Sequence, residues 1–262
     1  MTSFIGLPGA LVPLSCPASE DVQGERSSSE LVTFSGRRVV QLGPRVRRSW
    51  SVGFGAKHPR DYAVLDALTR WESPLSWVGA LAQATNLLTP EQANLDHAGS
   101  AVMRGALDLG DLWVAQWVTG HSSSTVSVTG AYPVPVRAGV PVTASAYVQR
   151  ADPATPVQAV LQFLDATGAV LSAVTINGPA GAGIQRASWT RTPPVGAAGF
   201  TFVIRYAAVL AAPQVTWTPT AVPYAPGRGV NRVIVLPGSE SPIVAHQSQV
   251  LTGAAYTIME VG

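Results

Sequence analysis

Val157-Gln-Ala-Val-Leu-Gln-Phe-Leu-Asp-Ala-Thr-Gly-Ala-Val-Leu-Ser-Ala-Val-Thr-Ile176 reads as two short strands around a turn. Apolar and β-branched residues fill both runs, and Asp165-Ala-Thr-Gly between them is a turn signal. The same texture runs outward in both directions. Leu112-Trp-Val-Ala-Gln-Trp-Val, Thr125-Val-Ser-Val and Val142-Thr-Ala-Ser-Ala-Tyr-Val-Gln precede it. Arg186-Ala-Ser-Trp-Thr-Arg, Phe200-Thr-Phe-Val-Ile-Arg-Tyr and Gln214-Val-Thr-Trp-Thr follow. Eight short strands at this spacing, punctuated by turns such as Asn177-Gly-Pro, predict an antiparallel β-sandwich or jelly roll.

Upstream, Leu31-Val-Thr-Phe, Arg38-Val-Val-Gln-Leu and Val46-Arg-Arg-Ser-Trp-Ser-Val-Gly-Phe also read as strands, with Leu42-Gly-Pro-Arg45 as a turn between the last two. The period of two puts Trp50, Val52 and Phe54 on one face, which makes that face core. A helix is expected from Pro59 to Glu72: a proline opens it, Asp61 complements its dipole, and Tyr62, Leu65, Leu68 and Trp71 form an apolar stripe. The strand Leu75-Ser-Trp-Val follows, and from Ala84 to about Tyr224 no helix signal is seen. Val230-Asn-Arg-Val-Ile-Val-Leu-Pro and Ala254-Ala-Tyr-Thr-Ile-Met-Glu-Val-Gly are strands again, joined by a polar loop around Ser239-Glu-Ser-Pro. Gly/Pro-containing stretches at both ends of the middle segment mark an insertion. The expectation is a mainly β chain in which residues 1–88 and 228–262 form one domain and 89–227 an inserted sandwich.

The composition agrees with short strands and turns. Charged residues are 12% and apolar ones 47% of 262 residues, with 25 Gly and 21 Pro, which excludes charge-driven disorder and long surface helices. A surface so poor in charge is explained most simply if neighbouring subunits cover much of it. The formal charge of +2 is too mild to imply a nucleic-acid partner. The single Cys16 forms no internal disulfide and completes no thiol metal set. The N-terminal stretch lacks a basic leader, with Pro8 and Pro13 interrupting it, so no signal peptide is expected. No apolar run reaches the about 20 residues needed to span a bilayer as a helix, so no membrane partner is expected.

The hairpin Arg38 to Val52, the amphipathic helix after it and Leu75-Ser-Trp-Val resemble the opening domain of minor and distal tail proteins of long-tailed phages infecting actinobacteria. Tyr256-Thr-Ile-Met-Glu-Val-Gly resembles their closing strand. Asn86-Leu-Leu-Thr-Pro, Pro141-Val-Thr-Ala-Ser-Ala-Tyr-Val-Gln, Ala187-Ser-Trp-Thr-Arg and Pro213-Gln-Val-Thr-Trp-Thr resemble the carbohydrate-binding-module sandwiches often inserted in such proteins. The resemblance implies a virion protein of the tail tip, not an enzyme. Its first domain would form a ring, commonly of six copies, between the tail tube and the tip hub, while the sandwich projects outward to host cell-wall glycans or other tip proteins. A free-standing carbohydrate-binding or adhesion protein is the alternative.

The residues themselves offer little catalytic chemistry. His58, His97, His121 and His246 start no HxxxH pattern, Gly120-His-Ser-Ser-Ser lacks the second glycine of a nucleophile elbow, and no phosphate-binding loop occurs. Asp108 and Asp111 on a loop suggest calcium, against the plainer reading of a solvated turn, because this ion wants about six to eight oxygens. Trp113 and Trp117, four apart on one strand, share a face and with Tyr132 and Trp217 are the candidate sugar platforms; core packing is the alternative. Arg37, Arg38, Arg45, Arg47 and Arg48 put five cations in twelve residues across the predicted hairpin. A solvated edge would explain them, but Arg48 shares strand parity with Trp50, so the hairpin is expected to contact an adjacent copy or the tail tube.

Overall fold

The computed structural model describes residues 2–14, 17, 19–119, 125–246 and 249–261. Cys16 and the Gly120-His-Ser-Ser-Ser stretch, with His121, lie outside them, as do the side chains of Arg45 and His246. In chain order the elements begin with β1 (Phe4–Leu7), β2 (Ala10–Pro13), β3 (Ser19–Val32), β4 (Arg38–Lys57), α1 (Ala63–Leu68), β5 (Ser76–Val78), α2 (Ala80–Ala84) and α3 (Pro90–Ala93). Then come β6 (Val102–Asp108), β7 (Trp113–Thr119), β8 (Thr125–Ser127), β9 (Val134–Pro135), β10 (Val142–Arg150), β11 (Gln158–Leu164) and β12 (Val170–Asn177). The chain ends with β13 (Gln185–Arg191), β14 (Gly199–Arg205), β15 (Ala207–Thr216), β16 (Val233–His246) and β17 (Gln249–Glu260). The protein is therefore mainly β. It divides into two compact units, residues 3–11 with 76–231 and residues 12–75 with 232–262. The sequence reading drew these limits at 88 and 228. The strand read at Leu75 joins the larger unit because β5 pairs with β1, Phe4 opposite Val78.

The smaller unit is built on one antiparallel sheet in the order β16-β17-β4-β3. The last segment returns to the Trp50 strand, with Ile258 opposite Trp50 and Tyr256 opposite Val52. Alternation turns Trp50, Val52 and Phe54 inward with Ala254, Tyr256 and Ile258, all buried. Tyr62 and Leu65 are buried with them, the rings of Phe54, Tyr62 and Tyr256 stand 5.8 to 6.5 Å apart, and the hydroxyls of Tyr62 and Thr252 hydrogen-bond.

Three local expectations fail here, each for a visible reason. The predicted turn at Leu42-Gly-Pro-Arg45 lies inside the 20-residue β4: the register passes from Ser28 opposite Leu42 to Arg26 opposite Val46, so the Gly-Pro step is absorbed as a bulge. The true turn is Thr33 to Arg37. The polar loop expected around Ser239 is strand, with Ser239 opposite Ala255 and Glu240 opposite Ala254, after an irregularity at Pro237-Gly238. There a Cβ on Gly238 would sit 1.9 Å from the Ala255 carbonyl oxygen, so only glycine lets the two backbones approach. The helix is shorter than its pattern, a 3-10 turn (Pro59–Asp61) followed by α1, because Tyr62 leaves helical geometry between them (φ −122°, ψ 7°). Thr69 closes α1 by donating its hydroxyl to the Asp66 carbonyl, and Trp71 is left exposed.

The larger unit is a sandwich of two antiparallel sheets, β13-β10-β15-β7-β6 and β12-β11-β14-β8, with β9 pairing β14. Ala144, Ala146, Val148, Ala187 and Trp189 from the first sheet meet Leu161, Phe163, Phe202 and Ile204 from the second in one buried cluster. Trp189 stacks at a tilt on Phe202, 5.7 Å between centroids, and Phe163 on Phe200 at 5.4 Å. All eight strands read from the sequence occur, but β6, β9, the first half of β15, β1, β2, α2, α3 and the 3-10 helix Asp96–Ala101 were not anticipated. α3 is fixed by a capping box in which Thr89 and Gln92 satisfy each other's backbone N–H groups, with Pro90 in the first turn. No helix among the described residues is long and apolar enough to cross a membrane.

Candidate functional site

Register assembles a row across the outer face of the five-stranded sheet: Arg186 opposite Tyr147, Tyr147 opposite Ala211, Ala211 opposite Trp117, Trp117 opposite Met103. Its two ends differ. At the β13 and β10 end the face is closed by the chain that follows β15. Gln214 donates to the carbonyls of Thr85 (2.6 Å) and Pro223 (3.0 Å), and Arg186 donates to Gln214 Oε1 (2.7 Å) and the Val222 carbonyl. The Tyr147 hydroxyl donates to both oxygens of Asp111 at 2.7 and 2.8 Å. Burial, reinforced by that carboxylate, pushes the phenol up to about 12.

At the β7 and β6 end the face carries a small apolar cluster with exposed side chains beside it. Val118 points into the core, while Trp117 packs with Leu107, Leu112 and Val114 against Tyr147, Ala211 and Ala212 on the outer face. Trp113 is 66% exposed, Met103 45%, and Trp117 is half-buried. The Trp117 ring rests over Gly105, 3.4 Å from where a Cβ would stand. The two indoles anchor about 13 Å apart along the strand, four residues at the strand rise. An exposed indole can stack on the apolar face of a sugar ring or hold an apolar segment of another protein.

The other two aromatic candidates lie elsewhere. Tyr132 sits on the turn between β8 and β9, in the other sheet, where its carbonyl accepts from Gln92 at 2.8 Å. Trp217 is committed to packing: its indole N–H donates to the Pro135 carbonyl (3.2 Å) and its ring meets Phe4 at 5.7 Å, while the Arg137 guanidinium covers that Phe4 ring at 4.4 Å. The two acids weighed for calcium have protein partners. Asp108 accepts the Gly110 N–H at 2.8 Å and Asp111 holds Tyr147. Among the described residues no three His, Cys, Asp or Glu side chains are placed to hold a metal ion. His58 caps the 3-10 turn through Arg60 N–H, and His97 bonds the Ser127 carbonyl at 2.6 Å.

The arginines separate into different roles. Arg37 closes the hairpin turn through its backbone, and Arg38 pairs with Glu30 at 3.2 Å in the open. Arg47 stands exposed opposite Glu25 on the ladder, and Arg45 lies on β4 with its side chain outside the described residues. Arg48 turns inward as its parity with Trp50 predicted: it lies over the Trp50 ring at 5.4 Å and takes Glu260 with two side-chain bonds (3.0 and 3.1 Å) and its own backbone N–H (3.2 Å). This fork fastens the closing strand. Glu260→Ala is expected to destabilise the smaller unit by about 1 to 3 kcal/mol, because a partly buried guanidinium loses its partner. Thermal unfolding checks it, and a melting point unchanged from wild type would show the fork idle.

No family model and no curated protein matches this sequence. Among solved structures, the enzymatically active domain of tailspike protein 4 from bacteriophage CBA120 is similar over 50% of this chain and 21% of its own, at 12% identity and a TM-score of 0.36. The CBM22-1 and GH10 modules of Clostridium thermocellum endo-1,4-beta-D-xylanase 10B are similar over 54% of this chain and 30% of theirs, at 15% identity and a TM-score of 0.33. The VP2 subviral particle of infectious bursal disease virus is similar over 98% and 66%, at 7% identity and a TM-score of 0.25. This chain spans less than a third of the length of the first two.

Proposed function

We propose that this chain is a non-catalytic structural subunit of a phage tail tip, a distal or minor tail protein, whose larger unit touches host surface glycan through Trp113 and Trp117. The observation that carries the glycan part is Trp113, an indole two-thirds exposed on β7. An exposed tryptophan does nothing for the core, and stacking on sugar is a chemistry its flat face suits. The tail part is supported by the sequence resemblance, which covers both the Trp50 hairpin and the closing strand that pairs with it. In this role the smaller unit forms the ring that joins the tail tube to the tip hub. A free-standing carbohydrate-binding protein is the second reading, favoured by the fact that Trp113 and Trp117 both lie within the larger unit.

Binding of the full chain to purified cell-wall polysaccharides, read by sedimentation with the insoluble glycan, tests the platform. Trp113→Ala is expected to weaken binding about tenfold or more while leaving the melting temperature unchanged, since the side chain is exposed. Equal binding by wild type and variant, or none by either, would overturn the glycan assignment. Immunogold labelling of virions then separates the tail subunit from the free-standing protein.

A further inference from the structure

We propose that the larger unit holds a second glycan contact, an anion site in which Arg205 takes the carboxylate or phosphate of an acidic sugar. This rests on the glycan reading for the sugar, but the site lies on the other sheet of the sandwich from Trp113.

Register builds the site across the outer face of β12-β11-β14-β8. Directly opposed residues share a face, so Asn177, Gln158, Arg205 and Thr125 stand side by side in one row, about 14 Å from end to end at the strand spacing. One row further along, Val160 stands opposite Val203. This face looks away from the core, because Ala159, Leu161, Phe202 and Ile204 hold the inward positions. Val160 is nevertheless only 7% exposed, so its neighbours in the face rise above it. The result is a shallow trough with an apolar floor and a polar wall.

The wall carries charge that the fold leaves unanswered. Arg205 Nε is buried and has no acceptor among the described residues, and the same holds for Arg150 Nε. Both arginines lie at one end of the sandwich. Arg150 closes β10 opposite Ala207, Arg205 closes β14, and the Ala151 N–H donates to the Tyr206 carbonyl between them at 3.2 Å. Tyr206 is held there at φ 61°, a conformation that side chains other than glycine seldom adopt. Asp152, the acid nearest in sequence, is occupied in its own turn, where it accepts the Ala154 N–H at 2.9 Å and the Thr155 hydroxyl at 3.4 Å. Nearly every buried N–H in a folded protein is bonded, so two unbonded ones at one strand end single this place out.

The chemistry of the row selects the ligand. A guanidinium Nε–H and the N–H beside it form a fork that takes a carboxylate or phosphate with two parallel bonds. Gln158 and Asn177 bond each other only weakly, at 3.5 Å, so their amides can turn to hydroxyl groups, as can the Thr125 hydroxyl on the other side of Arg205. An acidic sugar presents an oxyanion flanked by hydroxyls on one ring, and that pattern matches a guanidinium flanked by amides and a hydroxyl.

Calorimetric titration of the full chain with trigalacturonate, galactose 1-phosphate, neutral galactotriose and inorganic phosphate tests this. At least one of the two acidic sugars should bind at least about tenfold more tightly than the neutral one, and which of them binds tells carboxylate from phosphate. Added salt should weaken that binding. Arg205→Gln should weaken it about tenfold or more with no fall in melting temperature, since a buried donor without an acceptor is removed, whereas Trp113→Ala should leave it unchanged. Equal binding of acidic and neutral sugars, binding of neither acid, full binding by Arg205→Gln, or inorganic phosphate binding as tightly as the sugars overturns the proposal. Wall polysaccharide sedimenting with Arg205→Gln as with wild type, but not with Trp113→Ala, would sink the anion site and leave the Trp113 contact standing.

Discussion

Replacing Asn86 by alanine should lower the stability of the larger unit by about 4 kcal/mol or more, and its melting temperature by about 10 °C. Asn86 has no exposed surface. Its amide nitrogen donates to the carbonyls of Pro213 (3.2 Å) and Ala225 (2.9 Å), and its oxygen accepts from the backbone N–H groups of Leu88 (3.1 Å) and Val215 (3.2 Å). Two donor hydrogens and two lone pairs are the full capacity of a carboxamide, so no group is spare. Its partners are otherwise hard to satisfy, because β15 passes a proline at position 213 and residue 225 belongs to no strand. The single side chain thus ties together the lead-in to α3, the β15 strand and the segment that closes the sheet face. Alanine would leave three buried backbone groups and one part-buried carbonyl without this partner, and each buried group costs about 1 to 3 kcal/mol unless water reaches it. Asn86→Asp keeps the acceptors and loses the donors, so it should also destabilise. Calorimetry of both variants checks this; a loss below about 1 kcal/mol for the alanine variant would mean the clip is redundant.

Asn86 also shows what a sequence conceals. The strands of the sandwich were legible because Val, Ile, Phe and Trp recur in short runs between turns, and the register then followed the alternation, as with Ala144, Ala146 and Val148 inward. The Trp50 face was legible for the same reason. β6 was not, because Met103, Arg104 and Gly105 are exposed on an edge strand and carry no apolar period. With β6 unseen, nothing in the sequence showed that Gly105 lies beneath Trp117. The alanine-rich start of β15 was hidden because alanine has weak strand preference, and only register reveals it. The Gly43-Pro44 step misled because that dipeptide suits a bulge as well as a turn. α3 could have been found, since Thr89-Pro-Glu-Gln92 is a capping box with proline in the first turn. Among the candidate residues, the exposure of Trp113 fits its place at the start of the β7 strand that the sequence indicated. The burial of Trp217 was not readable, because its partners Phe4 and Pro135 are distant in sequence.

Alkaline pH should destabilise both units, each losing on the order of 3 kcal/mol between pH 10 and pH 12. One tyrosine in each is responsible. Tyr147 in the larger unit is held up to about 12 by burial and then by the Asp111 carboxylate that its hydroxyl bonds. Tyr256 in the smaller is held up to about 12 by burial and then by Glu240 and Asp66 nearby. Both side chains are buried, but Asp111 is exposed, so salt should weaken its share of the Tyr147 effect. Above pH 10 an unfolded chain gives up these phenolic protons while the native state keeps them. The native state then binds more protons, and stability falls as pH rises, by about 1.4 kcal/mol per pH unit for each group until the folded value is reached. Below pH 10 both states are protonated and the contribution is constant, so acid and neutral solutions should not show this slope. Substitution assigns the effect: Tyr256→Phe should flatten the alkaline slope of the smaller unit alone, and Tyr147→Phe that of the larger. Chemical denaturation at pH 8, 10 and 11.5 measures both slopes, and a wild-type stability as high at pH 11.5 as at pH 8 would show that neither phenol is held protonated by the fold.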